Sequence, residues 1–245
     1  MYIESGLNLG KAIPNAVMCR SAVLCSLFAR LPVESFSAGQ ILFMEGDEAT
    51  SLFEIVEGTL RIYRILGDGR RVITGFLHAG DILGLSFQSH HICTAEAITP
   101  VAIRRLSRKA FEADLAISAD IRPLVFQHMS DEMAQAQDQM VLLSTKNAEE
   151  RLCTFLLKQL HRAMRSGALQ PVIHLPMTRL DIADHLGLTI ETVSRTMTKL
   201  CSKGVTVVSG RHSVKIVKRA MLAHLAGDGN EYEEDRRAQA GRLRH

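Results

Sequence analysis

The residue pattern changes period near residue 107. From Ser37 to Leu106, short apolar runs (Ile41-Leu42-Phe43, Leu52 to Val56, Leu60 to Tyr63, Val72 to Phe76, Val101 to Ile103) are separated by Gly39, Gly46-Asp47, Gly58, Gly67-Asp68-Gly69 and Gly80-Asp81. Apolar runs of about five residues at intervals of about 8–12, with Gly and Asp between them, build antiparallel hairpins. Beyond residue 107, in the helical stretches as far as about residue 203, the apolar positions recur every three or four residues. A block of strands followed by a block of helices predicts an α+β fold in which the two kinds are segregated. The expected order is an N-terminal antiparallel β-roll (a jelly-roll-like double-stranded β-helix), one long helix, and a helical C-terminal unit. The divisions expected are a partly helical N-terminal segment over 1–34, the roll over 35–117, the long helix over 118–146, the C-terminal unit over 147–226 and a polar, disordered tail over 227–245.

The long helix carries the first sign of an assembly. Its segment from Asp120 to Ser144 has no Gly, and Pro123 falls in the first turn, where proline is tolerated. Phe126, Met129, Met133, Ala136, Met140 and Leu143 alternate steps of three and four, and Ile121 and Val125 extend the stripe toward its start. Asp131, Glu132 and Asp138 fall off it. So narrow a seam suits packing against another helix, either the same helix of a second copy in a homodimer or a core neighbour in the same chain.

Charge is distributed in the same two-part way. Residues 1–145 hold 12 Lys/Arg and 16 Asp/Glu, whereas residues 146–226 hold 13 and 5, a net of +8 hidden inside an overall +3. A basic module attached to an acidic one points to a polyanion as the partner of the C-terminal part.

Within that basic part, helical stretches are expected at 147–166 and 178–203, with a hairpin of Val207, Val208, Val214 and Ile216 around Ser209-Gly210-Arg211-His212. Thr178 followed three residues on by Asp181 reads as a capping box. Gly187 ends that helix, Thr189 caps a second, and Gly204 terminates it. Ala183 at the crossing, Gly187 in the turn and Val193 as branched filler give the spacing of a helix-turn-helix, and the hairpin adds a wing. Ile190, Glu191, Ser194 and Arg195 fall on the exposed first turns of the second helix, and Val193, Met197 and Leu200 on its inward face. Arg binds guanine O6 and N7 bidentately and Glu accepts from exocyclic amines, so these four are the candidate base readers. Taken singly, Glu191 also suits the helix dipole and Arg195 a solvated surface. Arg179, Thr189, Lys199 and Arg211 flank the helices and wing as candidate phosphate contacts.

Glu191-Thr-Val-Ser-Arg195, after Asp-Ile-Ala-Asp-His-Leu-Gly-Leu-Thr, resembles the recognition motif of the CRP/FNR superfamily of transcription regulators. Phe43-Met-Glu-Gly-Asp47, Phe53-Glu-Ile-Val-Glu-Gly58, Ile73-Thr-Gly-Phe76 and Ala79-Gly-Asp-Ile-Leu-Gly84 resemble its β-roll. Leu142-Leu-Ser-Thr-Lys-Asn-Ala-Glu-Glu-Arg-Leu152 is similar to the FNR branch. The resemblance implies a homodimer on a palindrome of TTGAT-like half-sites, with Arg195 on the G and Glu191 on the opposite strand. It also implies RNA polymerase as protein partner and low-oxygen or nitrogen-fixation genes as targets.

Two family ligands are not expected. Cyclic-nucleotide binders carry Gly-Glu after the Gly-Asp turn and an Arg-Ser for the cyclic phosphate, but here Gly84 is followed by Leu85, and Ser89-His-His-Ile-Cys-Thr-Ala95 has no such Arg. An iron–sulfur cluster of the FNR kind needs four Cys. Ala16 stands three places before Cys19, where the family has one, and Ala102 stands at the expected β-roll position. The chain thus resembles the FixK subgroup, which lacks the cluster, and no cofactor or metal is expected. The alternative is a redox or metal sensor in which Cys19, Cys25 and Cys93 gate DNA binding. His90, His91 and Cys93 read as a polar loop rather than a metal site. Cys201 reads as a small core residue, with a regulatory thiol as its second reading. Five scattered Cys suggest reduced thiols in a cytoplasm. No membrane span is expected. No nucleophile elbow, phosphate loop or zinc-protease motif suggests an enzyme, and Glu149-Glu150 reads as a solvated pair.

Overall fold

A computed structural model describes residues 22–86, 88–165, 167–168 and 170–227. Cys19 and the tail beyond residue 227 lie outside the described residues. After the short helix α1 (Ala22–Ser26), eight strands form the roll: β1 (Val33–Phe36), β2 (Ile41–Phe43), β3 (Ser51–Glu57), β4 (Thr59–Ile65), β5 (Arg71–His78), β6 (Ile82–Leu83), β7 (Thr94–Ala97) and β8 (Val101–Ser107). They pair antiparallel in two four-stranded sheets, ordered β1-β8-β3-β6 and β2-β7-β4-β5. β1 joins β8 from Val33 opposite Arg104 to Phe36 opposite Val101, so the roll is closed by its chain-distant ends. Between the sheets lie Phe43, Phe53, Ile55, Leu60, Ala95, Ala97, Val101 and Ile103. The β3–β4 turn needs glycine, because Gly58 has φ +93° and a Cβ there would stand 2.3 Å from the Pro100 carbonyl oxygen.

Helix α2 (Arg108–Ile117) starts at Ser107, whose hydroxyl accepts from the Ala110 amide, and leads into α3 (Ile121–Thr145). α3 joins the two halves of the molecule. Its first turns bury Ile121 and Val125, with Met129 alongside, in a cluster with Leu24, Phe28, Leu52, Leu106 and Phe111, and Leu142 near its end enters the core of the C-terminal unit. The expected seam is therefore split. Ile121 and Val125 belong to this chain's own core because α1, α2 and the roll cover that end, while Phe126 (71% exposed), Met133 (61%) and Met140 (64%), with Ala136 and Leu143, face outward.

The C-terminal unit contains α4 (Ala148–Arg165), β9 (Val172–His174), α5 (Arg179–Leu186), α6 (Ile190–Ser202), β10 (Thr206–Val208), β11 (Ser213–Ile216) and α7 (Arg219–Leu225). The wing is a three-stranded sheet ordered β10-β11-β9, one strand more than the hairpin expected, because Val172, Ile173 and His174 pair with the far edge of β11. Cys93, Cys153 and Cys201 are free thiols, as expected, but Cys25 is disulfide-bonded, which departs from the expectation of reduced thiols.

Candidate nucleic-acid interface

The local chemistry that sets the helix-turn-helix is present in full. At the start of α5 the Thr178 hydroxyl accepts from the Asp181 amide, and the Asp181 carboxylate accepts from the Thr178 amide at 2.9 Å. Gly187 ends α5 in the left-handed region at φ 62°, and the Thr189 hydroxyl accepts from the Thr192 amide to open α6. Ala183 and Val193 are both buried in the core cluster where α5 packs on α6. α6 turns Val193, Thr196, Met197 and Leu200 inward. Ile190, Glu191, Ser194 and Arg195 stand on the opposite face, all exposed. A bond from the Glu191 amide and one from the Thr189 hydroxyl hold the Glu191 carboxyl below the usual range, so it stays an acceptor.

The four candidate phosphate contacts are not equivalent. Thr189 is exposed at the start of α6 and Arg211 at the wing tip. Arg179 is half-buried, and that desolvation lowers its pKa. The Lys199 ammonium is bound to Glu149, which Lys203 also reaches at 3.0 Å. Glu149 is thus not a solvated residue. Donation from Lys199, opposed by partial burial and assisted by Lys203, holds its pKa down. Its neighbour Glu150 caps α4 by accepting from the Asn147 amide.

The segment 146–151 proves to be the joint between halves. The Arg151 guanidinium donates to Leu143 O at 2.9 Å, Lys146 O at 2.8 Å and Leu186 O at 3.0 Å, tying the end of α3 to the end of α5. Both helix ends present carbonyls without intrahelical partners and a negative dipole, so one cation satisfies two helices. Arg151→Met should cost about 2 kcal/mol in urea unfolding, since each carbonyl loses a charged donor. A loss below a few tenths would mean that water replaces the guanidinium.

The roll also touches the reading unit directly. Arg61 on β4 donates to Asp181 at 2.9 Å and pairs with Glu96, its cross-strand neighbour on β7. Arg71 on β5 donates to Asp181 and to Asp184, both at 2.8 Å. Burial alone would push the Asp181 carboxyl up, but bonds from Thr178 and the two arginines outweigh it and hold it down. The His185 ring lies within 3.0 Å of the Ile73 carbonyl and stands edge-on to Phe76 and Phe155. Sequence reasoning assigned Asp181 only to a cap and gave Arg61, Arg71, Glu149 and Arg151 no role.

The family ligands do not fit the residues in place. Leu85 is buried in the cluster around α3, and Arg108 at this turn donates to the Ala49 and Ser86 carbonyls. A cyclic phosphate here would meet the apolar packing of Leu85 and, in Arg108, a guanidinium already held by two backbone carbonyls. Cys93 packs on the roll's inner cluster, Cys153 lies in the core of the C-terminal unit and Cys201 contacts the Thr206 hydroxyl, so these thiols share no site. Cys25 packs in the separate cluster beside α3 and is spent in its disulfide, which removes it from a shared ligand set with Cys93. His91 stacks on Phe43 with ring centroids 3.5 Å apart.

Residues 33–116 match the cyclic nucleotide-binding domain family, and residues 150–225 the Crp-like helix-turn-helix domain family. The chain is 39% identical over 177 residues to the nitrogen fixation regulation protein FixK of Bradyrhizobium diazoefficiens, covering 71% of this chain and 73% of that protein. It is 36% identical over 191 residues to the fumarate and nitrate reduction regulatory protein of Escherichia coli K12, covering 77% and 76%. Among solved structures, FixK2 from Bradyrhizobium japonicum superposes with a TM-score of 0.75 at 33% identity, over 80% of this chain and 96% of that one. With the roll, the connecting helix and the winged unit in the same order as in these relatives, the chain belongs to the CRP/FNR family of transcription regulators.

Proposed function

We propose that the chain acts as a homodimer that reads a palindrome of the form TTGAT-N4-ATCAA and activates genes of low-oxygen metabolism or nitrogen fixation, without a bound cofactor. The observation that carries the reading is the capped helix α6, which presents Ile190, Glu191, Ser194 and Arg195 together on one exposed face. Arg195 contacts the G and Glu191 the opposite strand; Arg179, Thr189, Arg211 and, once released from Glu149, Lys199 contact phosphates. The exposed part of α3, from Phe126 through Met133, Ala136 and Met140 to Leu143, supports pairing with a second copy. Two-fold symmetry about it sets the recognition helices about one DNA turn apart. No helix among the described residues is long and apolar enough to cross a membrane. The chain works by binding in the cytoplasm, with RNA polymerase as its protein partner. Cys201, half-buried near the end of α6, packs as a core residue; peroxide treatment that lowers DNA affinity would instead make it a regulatory thiol.

Selection of bound DNA from a random pool with aerobically purified protein should recover the TTGAT palindrome. Arg195→Ala should then weaken binding by about 1–3 kcal/mol and relax the requirement for G. Recovery of an unrelated sequence, or unchanged discrimination in the variant, would overturn the assignment.

A further inference from the structure

We propose that Arg61 and Arg71 of the roll are positioning residues for DNA recognition: by gripping Asp181 and Asp184 they set the angle of the recognition helix and so the half-site spacing that the dimer accepts. The proposal rests on the reading of the DNA site given above. It starts from where the contacts fall. Asp181, Asp184 and His185 are three and four residues apart, which places them on one face of α5, and each meets the roll: Asp181 meets Arg61 and Arg71, Asp184 meets Arg71, and His185 meets the Ile73 carbonyl. These attachments, made through two arginines and one backbone carbonyl of β4 and β5, restrain how α5 can turn on the roll. Because α6 packs on α5 across the tight Gly187 turn, with Ala183 and Val193 in their shared core, what holds α5 also holds the recognition helix.

The chemistry favours direction over adhesion. The Asp181 side chain is 1% exposed and those of Arg61 and Arg71 are 18% and 22% exposed, so all three have given up much of their hydration. Removing charges from water costs enough that such a network need not stabilise the fold more than apolar packing of equal volume would. What the planar guanidinium adds is a fixed geometry, which a greasy contact lacks. The arginines are themselves oriented. Glu96 holds Arg61 across the strand pair, and both guanidinium groups lie near the Tyr63 ring, at 6.0 and 5.8 Å. A roll whose residues do not fit the cyclic phosphate still has, on this account, a job that relates to DNA.

The test compares the full-length wild type with Arg61→Met/Arg71→Met and with Arg61→Lys/Arg71→Lys, on TTGAT palindromes whose spacers run from three to six bases. In parallel, energy transfer between fluorophores carried on unnatural amino acids at Lys109, in α2 directly after the roll, and Thr198 on α6 reports the distance between the two units within one chain, without DNA. In the Met pair the preference for the four-base spacer should fall about fivefold or more, and the single distance population should broaden. Discrimination of G by Arg195 should stay as in wild type. The Lys pair, which keeps charge but not the fork, should fall between. A Met pair with wild-type spacing preference and an unchanged distance distribution overturns the proposal, as does a broadened distribution with unchanged spacing. Should the Met pair fail to fold, Arg71→Met alone, which leaves Arg61 on Asp181, answers the same question. If the wild type ignores TTGAT palindromes, the reading of the DNA site fails instead, and the distance distribution alone decides whether the arginines hold the unit.

Discussion

Asp181→Ala should lower the free energy of unfolding by about 3 kcal/mol, the range for stripping a buried ion pair of one partner with a helix cap lost as well. The carboxylate serves two parties at once, since one oxygen takes Thr178 at the start of α5 and the other takes Arg61 and Arg71. Asp181→Asn should therefore be almost as damaging. An amide offers one oxygen, and whichever way it turns, its NH2 faces donors. Urea unfolding at pH 7 measures both variants, and an Asn variant within about 0.5 kcal/mol of wild type would show that the cap alone matters. The pH dependence has a definite sign. The folded carboxyl titrates below its ordinary value, so its contribution is complete above the ordinary carboxylate range and is lost as pH falls through and below it.

Acidification should reach the roll earlier, through His78 at the end of β5. Burial, with the nearby charge of Arg162, pushes its pKa from 6.5 down to about 4, against the pull of Asp81. Between those values the unfolded chain binds the proton and the folded chain does not, so stability falls as pH drops from 6.5 and levels off near 4. A shift of that size amounts to about 3 kcal/mol. His78→Gln, which can still meet the Thr59 hydroxyl now 3.2 Å from Nδ1, should lose about that much less between pH 7 and pH 4. Parallel stability curves for the two proteins over that interval would disprove it. His185, half-buried and also shifted down by desolvation, keeps a residual slope of the same sign in both.

What was legible in the sequence was local. The capping box, the Gly187 turn and the Thr189 cap each lie within a few residues, and the alternation within β3, β4 and β5 is visible without knowing their neighbours. Strand β9, at three residues, is too short to show a period and exists because β11 offers it an edge. The stripe on α3 was read as one surface, yet its first turns face the roll and its later turns face outward, a distinction that depends on where α1 and α2 pack. The contacts at the heart of the reading unit were invisible for a related reason. Arg61 and Asp181 are far apart in sequence, Arg61 has its own partner within the roll, and Asp181 already had a complete explanation as a cap. Glu149 and Arg151 stood inside a motif recognised for its likeness to relatives, and only the convergence of three helix ends gave them work.

The pairing of β1 with β8 also governs how the molecule is made. Val33 and Arg104 are neighbours across roughly seventy residues of chain, so β1 has no partner strand until Ser107 has left the ribosome, and closing so long a loop is slow compared with forming hairpins. Until then β3, met by β6 on one side, offers an open hydrogen-bonding edge on the other, the state in which a nascent chain is most exposed to wrong partners. The first turns of α3, which rest on the roll, emerge next, and α5 and α6 come out after that, onto a β4–β5 surface already carrying Arg61 and Arg71. The DNA-reading helix is thus synthesised against a finished template, and errors in this protein's biogenesis should trace to the roll even when the function that fails is the reading of DNA.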